Sequence, residues 1–347
     1  MRIINLKINL FLITLFTLFT CSNDDDLPTV ELRDRGEQQI TDKDLIITYL
    51  NTHYFDENLF INNPNTNFTI DDIVLEELAD GETQAPVGKT LLINSSLLQL
   101  KTTTFEDVVY DYYILNINQG GGEYAPRFTD DVRLNYEGSL MTDASVFDST
   151  ATPATFDIVN DFLIRGWSLV IPEFNPAASF VDNGDGTETY NDAGLGVMFL
   201  PSGLSYFGSA VVGVPAYSNL IFKFNLFTAN QNDHDNDGIP SYIEDLDNDI
   251  NVFDDDTDGD AIVNYADGDD DGDGISTFDE HILTTYTLNL GDPEPTLGPN
   301  DYQYSRTLDD ATNITTIEII TLVDSDNNGE FDYLESSIAV DNNTSND

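Results

Sequence analysis

Only one cysteine, Cys21, occurs among 347 residues, so no intramolecular disulfide can brace the chain. Basic residues are scarce as well: 12 Lys and Arg stand against 64 Asp and Glu, a net charge of −52. A nucleic-acid backbone is repelled by such a surface, which excludes nucleic acid as a partner. The apolar run Ile8 to Thr20 falls short of the ~20 residues that span a bilayer. Two nucleotide and hydrolase signatures are missing. Gly88-Lys89-Thr90 lacks the glycine five residues earlier that a phosphate loop needs, since Thr83 stands there. Gly203-Leu204-Ser205-Tyr206-Phe207 lacks the glycine two residues after serine that a nucleophile elbow needs. His53 lies on an apolar helical face without a ligand cluster, which reads as a packed core histidine. What remains is carboxylate, suited to a hard cation, together with 16 Tyr and 21 Phe, enough aromatic mass for a folded core.

The chain divides by texture. Residues 1–21 have Arg2 and Lys7, the apolar run, then Cys21, the layout of a signal peptide. Leu18-Phe19-Thr20-Cys21 resembles a bacterial lipobox, which implies lipidation at Cys21. Ser22-Asn23-Asp24-Asp25-Asp26 is similar to the acidic surface-export tag of Bacteroidetes lipoproteins. The expected location is therefore exported and lipid-anchored to the outer membrane, with the anchor as the only membrane contact. Polar residues 22–42 read as a flexible tether. In 43–107, a small and mostly helical region, Leu45, Ile46, Tyr49, Leu50 and His53 predict a helix over 42–55, and a second is expected over 70–78. Residues 108–228 alternate as strands, 229–280 are aspartate repeats, and 281–347 form a C-terminal region with one more such loop.

Within 108–228, three early runs stand out: Val132 to Gly138, Phe147-Asp148-Ser149 and Ile164-Arg165-Gly166-Trp167. Leu200 to Tyr206, Val214-Pro215-Ala216-Tyr217 and the strand Leu220 to Leu226 follow in order. The ordered set resembles the FKBP-type peptidyl-prolyl cis-trans isomerases. The resemblance implies an α+β fold, a curved antiparallel sheet wrapped on one short helix near Leu169 to Phe174. It also implies a pocket with Trp167 as floor and Tyr136, Phe147, Phe156, Leu163, Ile164 and Phe222 as walls. Asp148 would polarise the edge and Tyr206 would donate to the peptide carbonyl. Proline-containing polypeptides are the implied partners, and catalysis would need no cofactor. The chemistry suits these residue types: an X-Pro bond faces a barrier of about 18–20 kcal/mol, and the twisted amide is less polar than the planar one, so a dry aromatic cup favours it. Three departures from the family pattern are visible. No arginine follows Phe147-Asp148-Ser149, Phe162 stands where the family has a polar residue, and Phe207 adds a residue between Tyr206 and its glycine. Val181 to Asp192 reads as an inserted hairpin. A non-catalytic proline-peptide binder and a calcium-dependent adhesin are the alternative readings.

The repeats fit a twelve-residue calcium loop with oxygen ligands at positions 1, 3, 5, 9 and 12, a carbonyl at 7 and glycine at 6. Asp233, Asp235, Asp237, the Ile239 carbonyl and Glu244 fit in full around Gly238. So do Asp269, Asp271, Asp273, Ile275 and Glu280 around Gly274, and Asp324, Asp326, Asn328 and Glu335 around Gly329. Two loops lack the glycine: Asp245, Asp247, Asp249 and Asp256 with Ile250, and Asp256, Asp258, Asp260 and Asp267 with Ala261. Loops that abut at Asp256 leave no room for the helix pairs of an EF-hand. The array is similar to thrombospondin type 3 repeats, which implies structural calcium.

Overall fold

In the computed structural model, residues 32–150, 152–159 and 163–343 are described. The expected signal peptide, Cys21 lipidation site and acidic tag, together with Phe162, lie outside them. No helix among the described residues is long and apolar enough to cross a membrane.

The first helix, α1 (Arg35–Thr52), starts where the Asp34 carboxylate accepts the Glu37 N–H as an N-cap. It buries Ile46, Tyr49 and Leu50 as the apolar spacing predicts. It begins inside the stretch read as tether, and the reason is chemical. Gln38 and Asp42 are polar but buried, because they satisfy each other and a distant turn, whereas Gln39 Oε1 is buried beside them without a partner. After it come β1 (His53–Phe55), α2 (Glu57–Ile61), β2 (Glu76–Glu77) and β3 (Thr90–Leu91), with the small sheet order β2-β1-β3. The helix expected over 70–78 is a single 3-10 turn, Ile70–Asp72, followed by β2. Pairing with β1 claims Glu76 and Glu77, which overrides local propensity.

The main sheet contains β4 (Leu98–Phe105), β5 (Val108–Asn118), β6 (Asp131–Leu140), β7 (Val146–Ser149) and β8 (Ala154–Asp157). After α3 (Arg165–Val170) and a hairpin of β9 (Ser179–Asp182) and β10 (Glu188–Asn191), β11 (Gly194–Leu200) and β12 (Leu220–Asn230) complete it. The inserted hairpin is where the sequence places it. The short helix is not: it begins at Arg165, and a 3-10 turn at Ile171–Glu173 continues it. The strand order is β4-β5-β11-β12-β6-β7, with β8 also on β6. The β4–β5 hairpin pairs Phe105 with Val108, across the boundary drawn at 107.

The expected curved sheet wrapped on a helix is corrected here. The sheet is open from β4 to β7, and among the described residues no sheet is closed or strongly curled. The reason lies in strand alternation, which sends successive side chains to opposite faces. Met198 and Leu200 of β11 join Phe222, Phe224, Trp167 and Val170 on one face. Val197 and Phe199 join Ile46, Leu50 and Phe55 on the other. With apolar layers on both faces, a strand such as β11 is buried at every residue, and a sheet so sandwiched has no single helix to curl around. Each such Leu, Ile or Phe contributes about 1.5–3 kcal/mol by burial.

The repeats follow β12. The chain then forms α4 (Thr277–Glu280), β13 (Ile282–Leu288), β14 (Asp301–Asp309) and β15 (Ile314–Thr321), a sheet of order β13-β15-β14. All named elements belong to one compact unit, Asp34–Asp347.

Candidate functional site

The Trp167 side chain is held from below. Gly166 lets α3 approach β11 so closely that a Cβ there would lie 2.2 Å from Leu200 Cδ1. Trp167 is 8% exposed and packs edge-on to Phe222 at 5.1 Å and to Tyr136 at 5.6 Å between ring centroids. Tyr136 in turn meets Phe156 at 5.7 Å. These rings surround a cavity of about 150 Å³. Eight of the nine residues predicted for the pocket line it: Tyr136, Asp148, Phe156, Leu163, Ile164, Trp167, Tyr206 and Phe222. Phe147 does not; it packs edge-on behind Phe222 at 5.6 Å. Val132, Leu134, Ile158 and Ile171 also line the cavity and went unpredicted. The signal was there for two of them, because Val132, Leu134 and Tyr136 alternate along β6.

The polar groups sit at the mouth. The Tyr136 hydroxyl donates to Asp148 Oδ2 at 2.5 Å. Burial first, then that bond, raises the Tyr136 pKa, and burial with the nearby Asp148 charge raises that of Tyr206. Both phenols therefore stay protonated donors at neutral pH. Among the described residues no arginine forms an ion pair with Asp148, as the sequence indicated. A second cavity of about 370 Å³, bordered by Asn67, Asn135, Tyr190 and Asn225, contains none of the predicted residues.

With the pocket defined, the chain can be set beside known proteins. Its likeness to FKBP-type isomerase structures is distant and partial. A peptidyl-prolyl cis-trans isomerase from Pseudomonas syringae pv. tomato shares 19% identity, over 35% of this chain and 76% of that one, with a TM-score of 0.28. FkpA from Escherichia coli shares 26% identity over 34% of this chain, with a TM-score of 0.27. The match spans 47% of FkpA, about half its length. The BamM C-terminal family matches residues 234–292, inside the repeats and the strand after them. No curated protein matches the chain.

The repeats share one backbone design. In all five loops the residue at position 6 donates its N–H to Oδ2 of the first aspartate, at 2.9–3.1 Å. Position 6 has a left-handed φ throughout: 97° at Gly238 and Gly274, 98° at Gly329, but also 69° at Ile250 and 78° at Ala261. The glycine-less loops thus adopt the same turn at the cost of strain. Position 9 departs from the ligand template. Ser241, Asn264, Thr277 and Asp332 each accept the N–H of position 2 in their own loops.

Because one oxygen of each aspartate serves the loop, the other is left over. Asp233 Oδ1, Asp235 Oδ2, Asp237 Oδ2, Asp269 Oδ1, Asp271 Oδ2 and Asp273 Oδ2 are buried without hydrogen-bond partners. Asp233, Asp235 and Asp237 converge within 4.8 Å, as do Asp245, Asp247 and Asp249; Asp256, Asp258 and Asp260; and Asp269, Asp271 and Asp273. Glu244 converges instead with Asp237 and Asp270. Glu280 and Asp267 do not fall within their loops' trios. In the loop from Asp324, beside Asp326, the Asn328 amide donates to Glu335 Oε1 at 2.7 Å, while Glu335 Oε2 is buried without a partner. Ile239 is fully buried and Ile275 half-buried. An all-oxygen donor set fits a hard divalent cation. Without one, burial first and neighbouring carboxylates next push Asp235 up to about 7, Glu280 to about 8, Asp270 to about 9 and Asp237 to about 10.

The repeats also touch the pocket's support. Arg165, two residues before Trp167, donates to the carbonyls of Ile250 at 2.5 Å and Asp249 at 2.8 Å. Ile250 packs against the same core as Trp167, which accounts for a side chain where the loop would prefer glycine.

Proposed function

We propose that this chain is an exported peptidyl-prolyl cis-trans isomerase of the cell envelope, lipid-anchored through Cys21, with a calcium-held array at its C-terminal side. The observation that carries the enzymatic reading is the cavity beside Trp167, which gathers eight predicted residues in a shell apolar except at its mouth. An X-Pro segment entering it exchanges water for aromatic walls. The planar imide loses more solvation than the twisted one, so the barrier falls by differential binding and no covalent step is required. The Tyr206 hydroxyl supplies a donor for the substrate carbonyl, and the Tyr136–Asp148 bond keeps that rim in place. Calcium, held by the converging loop aspartates, would neutralise charge in the array and has no part in the rotation.

The test is a proline-peptide isomerisation assay on the full chain. Parent protein should accelerate the reaction, and Trp167→Ala should remove most of the acceleration, a loss of tenfold or more. Tyr206→Phe should cost a smaller factor, since it removes one hydrogen bond. Background rates for the parent, with the peptide still bound, would leave the non-catalytic proline-peptide binder. The absence of an arginine partner for Asp148 is what favours that second reading.

A further inference from the structure

Position 2 of the five loops is occupied by His234, Leu246, Thr257, Asp270 and Ser325. Only one of these is an acid. Loop side chains at positions 1, 3 and 5 point inward together, so position 2 faces away from its own ion site. Asp270 therefore does not serve the loop in which it stands. It meets Asp237 and Glu244 of the loop that begins at Asp233, with one oxygen from each within 4.8 Å of the others. The three residues are 1%, 3% and 0% exposed. Both oxygens of Glu244, both of Asp270 and Oδ2 of Asp237 accept no hydrogen bond. Fully buried carboxylates without donors are strongly unfavourable unless a positive charge lies among them. Tyr333, from beyond the last strand, covers the spot, and Ile239, Ile320 and Leu322 pack around it.

Building on the calcium reading of the repeats, we propose that Asp270 is a ligand of the ion held by Asp233, Asp235, Asp237 and Glu244. One calcium ion then joins the first loop to the fourth across the two glycine-less loops between them. The array is closed on itself by a shared ion and is not a string of independent sites.

Calcium titration of the full chain, with melting curves in chelator and in calcium, tests this for Asp270→Asn, Asp237→Asn and the double variant. Asp310→Asn, at the exposed turn before β15, is the charge control. Asp270→Asn should weaken the tightest calcium step by about tenfold or more, the scale on which ligand charge tunes such sites. It should also raise the melting point in chelator, because it removes one of the mutually repelling charges. The double variant should lose less than the product of the two single losses, since both residues serve one ion. The assignment is overturned if Asp270→Asn binds calcium as Asp310→Asn does. It is equally overturned if that variant melts lower than the parent in chelator or fails to fold, or if the two losses multiply independently. A parent protein indifferent to calcium would instead remove the calcium reading itself.

Discussion

Asp42 offers the sharpest test of how the N-terminal helix belongs to the fold. Its carboxylate is fully buried and accepts from Ser202 N–H at 2.9 Å, Ser202 Oγ at 2.6 Å and Gln38 Nε2 at 2.6 Å. The Asn219 amide donates to the Asp42 carbonyl at 2.9 Å and its oxygen accepts the same Ser202 N–H at 3.2 Å. This node fixes the turn from which Tyr206 reaches the pocket. Asp42→Ala removes a charged acceptor whose bonds are each worth about 1.5–3 kcal/mol, and it strands buried donors. The losses overlap, because Asn219 Oδ1 still serves Ser202 N–H, so the net cost should be about 3–5 kcal/mol. For a cooperative unit of roughly 200 residues that is a fall of roughly 6–20 °C in melting temperature. The sole tryptophan, Trp167, reports unfolding of the pocket core by its fluorescence at fixed calcium. Asp44→Ala, exposed on the same helix, should stay within about 0.5 kcal/mol of the parent. If Asp42→Ala melts with Asp44→Ala, the node is not what holds the helix to the sheet, and the tether reading regains its place.

Chelation should lower the melting temperature of the repeats. At ten times the dissociation constant each site adds about 1.4 kcal/mol, so superimposable melts with and without chelator would defeat the calcium reading. Ala261 is exposed with φ 78°, so Ala261→Gly should relieve strain and stabilise the array by about 1 kcal/mol in calcium, and a lower melting point would contradict this. Glu57 pays a burial penalty that raises its pKa. Donation by Ser96 and Ser95 outweighs it and leaves the carboxyl below its ordinary value. A depressed folded pKa gives stability that is present above the unfolded pKa and is lost as pH falls through the folded one. The gap between parent and Glu57→Gln should then be about 1.5–3 kcal/mol at pH 7 and should shrink on acidification below pH 4. A gap that widens in acid would refute it.

How much was legible from residues alone differs by element. The apolar spacing of Ile46, Tyr49 and Leu50 located a helix, but its first turns were missed. Polar residues that bury themselves against a turn 160 positions away look the same as solvated ones in a sequence. The pocket was legible because ordered aromatic motifs carry it, whereas Val132 and Leu134 looked like ordinary strand alternation. The C-terminal sheet was missed, since β14 is largely exposed and joins the buried isoleucines of β15 by register more than by a hydrophobic pattern of its own.

Sequence by itself determined the side-chain chemistry: carboxylates at alternate positions dictate loops that offer oxygen, and one tryptophan amid phenylalanines and tyrosines dictates an aromatic-lined cavity. Those are local properties, set by side-chain type and short spacing. Only tertiary structure decided that the main sheet stays open between two apolar layers, that Arg165 leans on the Ile250 loop, and that Asp270 faces another loop's carboxylates. Each of these depends on which surfaces meet once distant segments pack, and nothing in neighbouring residues encodes it.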